Sequence, residues 1–237
     1  MKNMIKAELF KFSHSPVLWI IISILTAASG ISIITGTFNS VQTTISSVYQ
    51  DSIVIILALA IYAPAILTDD FSNGLLRHYI VGGYKRFSII CAKFIHYLLG
   101  SVILLFVYPL ICVLLTAVIY GVEQSILEIV QTMLLFFIKS LTLYLGILGL
   151  FFFISISTKK GVAAMGASIA ISVIITVFTN AFYEKIPEIL KYSPIISLNE
   201  LTSNNDKEYL ISSIISILIM LICFWGSFIK FKEDDAL

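Results

Sequence analysis

The chain has 237 residues, of which 59% are hydrophobic and 12% are charged, and its formal net charge is +1. A soluble domain averages roughly 45–50% apolar and about 25% charged residues, so a globular core of this size cannot bury so much apolar surface. The near-neutral charge argues against nucleic acid as a partner. The composition also excludes a disordered or disulfide-stapled secreted chain. The sequence therefore predicts a polytopic membrane protein.

Six apolar runs are long enough, at about 20 residues and 1.5 Å rise per residue, to cross a bilayer. We place them within a single transmembrane domain covering 1–237, at about 17–36, 53–68, 94–120, 131–156, 161–182 and 210–230. The second is short, and we expect it to begin within Ser40–Gln50. Continuously apolar segments such as Phe151–Phe153 exclude the alternation of a membrane β-barrel. The predicted fold class is all-α, with six transmembrane helices.

The positions of Lys and Arg predict the orientation of these spans. With the N-terminus in the cytoplasm, the cytoplasmic regions hold 11 of the 15 basic residues and the opposite loops hold three. Positive charge accumulates on the cytoplasmic side of membrane proteins. Both termini are therefore predicted to be cytoplasmic, in a multi-pass protein of the cell membrane.

The first sixteen residues are predicted to form an elbow helix at the membrane surface. One side groups four apolar residues, Met1, Ile5, Leu9 and Phe12. Lys2 and Lys6 lie beside them, as in helices that bind the lipid interface. Glu8 falls within the apolar arc, so the amphipathic pattern is imperfect.

The stretch between the second and third spans is predicted to form a short amphipathic helix at about 70–81. Its apolar half comprises Phe71, Leu75, Leu76, Tyr79 and Ile80, and its polar half comprises Asn73, Gly74, Arg77 and His78. Gly82 and Gly83 suit a C-terminal cap. Two interpretations are open. The helix lies in the lipid headgroups, anchored by basic residues, or its apolar face docks in a groove on a cytoplasmic partner.

Lys139 is a charged residue well inside a predicted span, too deep to reach the outer surface freely. Glu128 precedes it by eleven residues, about three turns, so both fall on nearly the same face. Thr132 and Thr142 extend this polar stripe. One interpretation is a snorkelling lysine or a packing stripe between helices. The other is the polar lining of a central path, since charges within a membrane tend to face a cavity or a partner.

The outer loop at 183–209 is predicted to contain a short helix that begins at Pro187 and is half buried at the interface. Three apolar residues at i, i+3 and i+4 indicate this helix, namely Ile186, Ile189 and Leu190. Such a helix fits an outer gate or an ordinary aromatic anchor.

The sequence predicts no catalytic or metal site. The three histidines, His14, His78 and His96, show no HExxH spacing, and the cysteines, Cys91, Cys112 and Cys223, show no CxxC spacing. Asp69 and Asp70 are adjacent, so on a helix they diverge by about 100°. There is also no GxxxxGK[ST] phosphate loop. Any ATP-driven role therefore needs a separate ATPase chain.

Two segments resemble ABC-2 type transporter permeases. The loop contains Asp70-Phe71-x-Asn73-Gly74-x-x-Arg77, followed by Ile80-Val81-Gly82, Tyr84-x-Arg86 and Lys93. The N-terminus contains Glu8-x-x-Lys11, followed by Ser13-His14-Ser15-Pro16 and Trp19. Six spans and an extended outer loop, which the family uses for short re-entrant helices, also fit its layout. The pattern departs at Lys85, where the family usually has a small residue.

The resemblance implies an ABC-2 (type V exporter-like) architecture with an elbow helix and a coupling helix that docks on the ATP-binding subunit. The implied docking residues are Asp70, Phe71, Gly74, Leu75, Leu76, Arg77, Tyr79 and Ile80. It also implies two ATPase copies, which carry the ATP and Mg, so that this chain binds no cofactor itself. A second permease chain, identical or related, would complete the path across the lipid bilayer.

The family resemblance further implies a bacterial cell membrane and a peptide or lipophilic substrate, because small permeases of this kind expel lantibiotics, bacteriocins and other membrane-active peptides. The competing hypothesis is an ATP-independent secondary carrier or a membrane assembly scaffold. A carrier is expected to show inverted repeats and broken, charge-bearing helices at the midplane. Among the spans only Lys139 fits that description.

Overall fold

The computed structural model describes residues 2–36, 38–50, 53–122, 125–181, 192–199, 201 and 206–232. Within these residues the chain contains helices and no strand, which confirms the all-α prediction. Six helices there are long and apolar enough to cross a membrane: Pro16–Ile34, Ile53–Phe71, Arg86–Tyr120, Ile126–Thr158, Gly161–Phe178 and Asp206–Lys232. The protein is therefore multi-pass, with the number of spans that the sequence predicts.

The described helices are numbered in chain order. They are α1 (Lys2–His14), α2 (Pro16–Ile34), α3 (Val41–Gln50), α4 (Ile53–Leu67), α5 (Asp69–Ser72), α6 (Leu75–Val81), α7 (Arg86–Tyr120), α8 (Ile126–Thr158), α9 (Gly161–Ala181), α10 (Pro194–Asn199) and α11 (Asp206–Lys232). The stretch that we expected to lengthen the second span forms helix α3, and residues 51–52 between α3 and α4 lie outside the described residues. The Thr44 hydroxyl of α3 donates to Thr116 of α7 at 3.2 Å.

The segment at 70–81 forms two short helices, α5 and α6, where the sequence predicts one. Gly74 separates them with a φ of +67°, a left-handed conformation that glycine adopts without steric cost. Asn73 Nδ2 donates to Asp69 Oδ1 at 3.0 Å and closes the first turn. Periodicity conceals the break because apolar residues continue in phase on both sides of Gly74.

The last span packs tightly along α8. A Cβ atom on Gly149 would lie 2.7 Å from Met220 Cα, and one on Gly146 would lie 3.1 Å from Ser216 Cα. The residue numbers rise together in these pairs, so α8 and α11 run parallel. Small residues permit such close approach of helices in membranes.

The short helix α10 enters the bundle beside these two spans. A Cβ atom on Gly146 would lie 3.2 Å from the Pro194 ring, and Ser197 Oγ donates to Ser212 Oγ at 2.7 Å. Gly146 lies twelve residues before the end of α8, or about 18 Å along the helix. The outer-loop helix predicted at Pro187 lies outside the described residues, and the described helix begins at Pro194.

One end of the bundle gathers the basic residues, and we call it the basic end. Arg86, the first residue of α7, donates from Nη1 to the backbone carbonyls of Phe231 and Lys232 at the end of α11. A Cβ atom on Gly161 would lie 3.0 Å from Thr68 Oγ1, so α9 begins where α4 ends. Helices α1, α5 and α6 meet the spans at this end.

Candidate functional site

Five ionisable side chains from three chain segments meet at the basic end. We call them the charge cluster: Glu8 and Lys11 of α1, Asp70 of α5, and Lys93 and His96 of α7. Four of them are no more than 5% exposed, and the Lys11 side chain is 33% exposed. Charged residues are almost never buried so fully unless they are paired. Their burial therefore indicates that the fold pairs these charges with one another.

Within the charge cluster, opposite charges alternate. Lys11 Nζ donates to both carboxylate oxygens of Asp70 at 2.9 Å, and Lys93 Nζ donates to Asp70 Oδ2. His96 Nδ1 donates to Glu8 Oε2 at 2.8 Å, and Lys11 Nζ lies 3.7 Å from Glu8 Oε1. Lys11 thus links the pair at Asp70 to the pair at Glu8. The pairing compensates the desolvation that each buried charge suffers.

The environment shifts the pKa of both α1 residues. Burial alone would raise the pKa of the Glu8 carboxyl, but the hydrogen bond from His96 and the nearby lysine charges outweigh it and hold this pKa below its usual range. Burial likewise lowers the pKa of the Lys11 ammonium, but the carboxylates of Asp70 and Glu8 raise it above its usual range. Both groups are held in their charged forms.

Helical spacing explains how the cluster assembles. Glu8 and Lys11 are three residues apart on α1, as are Lys93 and His96 on α7, and residues at this spacing share a helix face. Glu8 disturbs the amphipathic pattern of α1 because that face turns into the protein. Leu9, which the sequence places on the apolar side, is instead 39% exposed.

The segment α5–α6 joins the charge cluster at two points. Asp70 supplies its central carboxylate, and the Tyr79 ring centre lies 5.4 Å from Lys11 Nζ. Much of the apolar face predicted for docking packs within the chain: Leu76 is 1% exposed, and Phe71 and Ile80 are half-buried against the core. Leu75 is also half-buried. The docking role of these residues stays a prediction.

The other side of the segment is exposed. Asn73 and His78 are exposed, and Val81 is 87% exposed. The side chain of Arg77 lies outside the described part of the structure.

A cavity of about 530 Å³ opens beside the charge cluster. Its polar lining includes Glu8, Lys11, His14, Asp69, Asp70 and His96. Among the described residues, Glu8 Oε1 and His96 Nε2 are buried without a hydrogen-bond partner. Buried polar atoms are normally satisfied by protein or ordered water. The cavity could therefore hold water or a ligand that makes hydrogen bonds with these two atoms.

The four residues predicted as a polar path do not form one group. Lys139 Nζ lies 3.8 Å from Asp206 Oδ1 and 5.4 Å from the Tyr209 ring centre, so it reaches the first turn of α11 instead of lying deep in the span. The hydroxyls of Thr142 and Tyr209 are 2.8 Å apart.

The remaining two residues of the stripe lie nearer the start of α8. Thr132 Oγ1 donates to the Glu128 carbonyl, and Glu128 is exposed in the first turn, where its N–H is capped by Ser125. These contacts favour packing between α8 and α11 for Lys139 and Thr142. Path lining stays a prediction.

Sequence reasoning missed the role of His96. The family pattern singled out Glu8, Lys11, Asp70 and Lys93 separately, and only the fold joins them. The three-residue spacing from Lys93 to His96 was a usable signal, since it places a second ionisable group on the same face of α7.

Comparison with known proteins gives a family whose function is not described. A family model with the description "Protein of unknown function (DUF2705)" matches residues 31–237. The matched region includes Asp70, Lys93 and His96, and the α1 members of the charge cluster precede it. No curated protein matches the chain.

Proposed function

The chain belongs to the DUF2705 family, and we propose that it is the membrane-spanning subunit of an ATP-driven ABC transporter with an ABC-2 (type V exporter-like) architecture. It would export or expel amphipathic or hydrophobic peptides that act on membranes. The observation that carries the proposal is the fastening of α5–α6 to α1 and α7 through the ion pairs of the buried Asp70 with Lys11 and Lys93. A subunit driven by a separate ATPase needs such a segment to pass motion to its spans.

The charge cluster is suited to transmit a push from outside the bundle. Asp70 follows the second span directly and holds lysines from two other helices. Removing one partner of a buried ion pair costs about 3–5 kcal/mol, so the three segments would move together. The exposed side of the segment, with Asn73, His78 and Val81, would meet the ATPase.

ATP and Mg would be held by two copies of the partner ATPase, because this sequence has no phosphate loop of its own. A second permease chain, identical or related, would complete the path. The stripe at Glu128, Thr132, Lys139 and Thr142 belongs to the proposal as a possible lining of that path.

An ATP-independent carrier or an assembly scaffold is the alternative. A carrier is expected to hold charges on broken helices near the midplane. In the described structure, Lys93 pairs towards the basic end and Lys139 pairs at the first turn of α11. A scaffold has no need of a segment fastened by ion pairs to two other helices, α1 and α7. Both observations favour the transporter subunit.

The test is a pull-down of the tagged chain from native membranes in mild detergent. Val81→Glu places a charge on the exposed side of α6. Val162→Glu, at an equally exposed residue at the start of α9, is the matched control. An ATPase subunit should co-purify with the unaltered chain and the control, and its yield should fall about tenfold or more with Val81→Glu, the equivalent of about 1.4 kcal/mol.

Two results would count against the proposal. A well-folded chain that brings down no ATPase would favour the carrier or the scaffold. An ATPase retained equally by both variants would place the docking surface elsewhere.

A further inference from the structure

An apolar groove runs between α2 and α4. It encloses about 310 Å³ and is lined only by apolar side chains, between Val17 and Ala28 on α2 and between Val54 and Ile61 on α4. Val17 and Ala28 are eleven residues apart, or about 16 Å along a helix. One leaflet of a bilayer has a hydrocarbon thickness of about 15 Å. The groove therefore matches an extended alkyl chain in one leaflet.

This groove continues into the polar cavity beside the charge cluster. Val17 lines both spaces, and the cavity is bounded by Ala65 and Ile66, the next turn of α4 towards the basic end. The two spaces adjoin at Val17 and together make one region that is apolar along the spans and polar at the basic end. We call it the amphipathic channel. Its shape suits a molecule with an alkyl tail and a polar head.

The polar part, which Lys11, His14 and His96 also line, has unmet capacity for a hydrogen-bond donor at Glu8 Oε1. Three carboxylates line it, those of Glu8, Asp69 and Asp70. Lys11 is engaged by Asp70, whereas Glu8 Oε1 is buried, has no hydrogen-bond partner among the described residues, and lies 3.7 Å from Lys11 Nζ. Among the described residues His96 Nε2 is likewise unpartnered and in the same lining.

We propose that the amphipathic channel binds an aminophospholipid, a lipid whose headgroup ends in a primary ammonium. One alkyl chain occupies the groove between α2 and α4. The ammonium is received by Glu8 Oε1 and the Asp69 carboxylate, and His14, at the exposed end of α1, offers a donor to the phosphate. This site goes beyond the proposed transport role and does not depend on an ATPase.

The experiment measures lipid binding by native mass spectrometry of the delipidated chain in detergent. Dipalmitoyl phosphatidylethanolamine and dipalmitoyl phosphatidylglycerol share the same tails and differ in the headgroup. We expect one ethanolamine lipid per chain, bound about fivefold or more tightly than the glycerol lipid, the equivalent of about 1 kcal/mol.

Two variants test the two ends of the channel. Ala28→Phe fills the groove and should weaken both lipids by about fivefold or more, whereas Ile31→Phe, exposed on α2 outside the groove, should not. Asp69→Asn removes an exposed carboxylate and should reduce the preference for the ethanolamine lipid. Glu208→Gln on exposed α11 is its control.

Several results would overturn the proposal. Equal affinity for the two lipids, or tighter binding of the glycerol lipid, would refute the ammonium assignment. Equal effects of Ala28→Phe and Ile31→Phe would refute the groove. A dimer that dissociates in Ala28→Phe while lipid binding is unchanged would show that a second copy of the chain occupies the groove.

Discussion

Lys93 and Lys139, two of the lysines that lie within candidate spans, have opposite surroundings. Lys93, near the basic end, is 2% exposed and donates to Asp70, which also holds Lys11. Lys139 has a side chain that is 38% exposed, and its partner Asp206 is 93% exposed at 3.8 Å. Both are ion pairs by distance, yet only the first is removed from solvent.

How much such a residue contributes to the free energy of unfolding depends on its burial more than on the mere presence of a charge in an apolar helix. An exposed ion pair contributes about 0–1 kcal/mol because water and salt screen it. A buried charge that loses its partner costs about 3–5 kcal/mol. The stability of the chain should therefore respond very differently to the same substitution in the two ion pairs.

The largest effect is expected for Asp70→Asn. It leaves the ammonium groups of Lys93 and Lys11 without their carboxylate, one of them fully buried. The free energy of unfolding should fall by about 3–5 kcal/mol. Thermal unfolding of the purified chain in detergent measures this loss.

The matched control is Asp206→Asn, the same change at the exposed pair with Lys139. It should alter stability by no more than about 0.5 kcal/mol. A double variant, Asp70→Leu with Lys93→Met, should recover part of the loss, since an apolar pair leaves one fewer buried charge unpaired. Equal losses for Asp70→Asn and Asp206→Asn would contradict the comparison.

The spans were predictable because each is a long apolar run, and their number is confirmed. The sequence does not give the break at Gly74, since the apolar residues of α5 and α6 remain in phase across it. Nor does it give the position of α10, whose contact with Gly146 joins residues far apart in the chain. Local periodicity holds no information on such contacts.

The charge cluster was predictable only in fragments. Glu8 stood out as an acid within an apolar arc, and its partner His96 is 88 residues away. The sequence also indicated the residues of the loop, but it left their apolar face open to either the lipid headgroups or a partner, and the docking role stays a prediction. The structure turns Leu76 into the core. Which side of an amphipathic helix faces its own chain depends on what packs there, and a helical wheel does not contain that neighbour.

The next largest effect is a dependence of stability on pH that arises at the charge cluster. Folding lowers the pKa of Glu8 from its usual 4.5, so its charge stabilises the fold above that pH. This contribution should be lost as the pH falls through the lowered pKa of the folded state. Unfolding measured between pH 7 and 3.5 should show a steeper acid loss for the unaltered chain than for Glu8→Gln. Parallel curves would show that Glu8 does not titrate with unfolding.

A smaller effect is expected where the charge cluster meets α6. Lys11 Nζ lies 5.4 Å from the Tyr79 ring centre. Tyr79→Phe keeps the ring and should leave stability nearly unchanged, whereas Tyr79→Leu should cost about 0.5–1 kcal/mol. Thermal unfolding of the two variants in detergent distinguishes them. A similar loss in both would assign the contribution to the Tyr79 hydroxyl.

The smallest effect on stability is expected for Lys139→Leu, in the exposed ion pair with Asp206. Its ion pair with Asp206 is screened and its contact with the Tyr209 ring is partly open to solvent, so unfolding should shift by about 0.5 kcal/mol or less. Stability and transport then give separate information. If this variant assembles and transports normally, Lys139 packs against α11 and does not line the path. A transport defect in a chain of unchanged stability and normal assembly would instead support a place for Lys139 in the path, because the loss would then lie in transport itself and not in the fold.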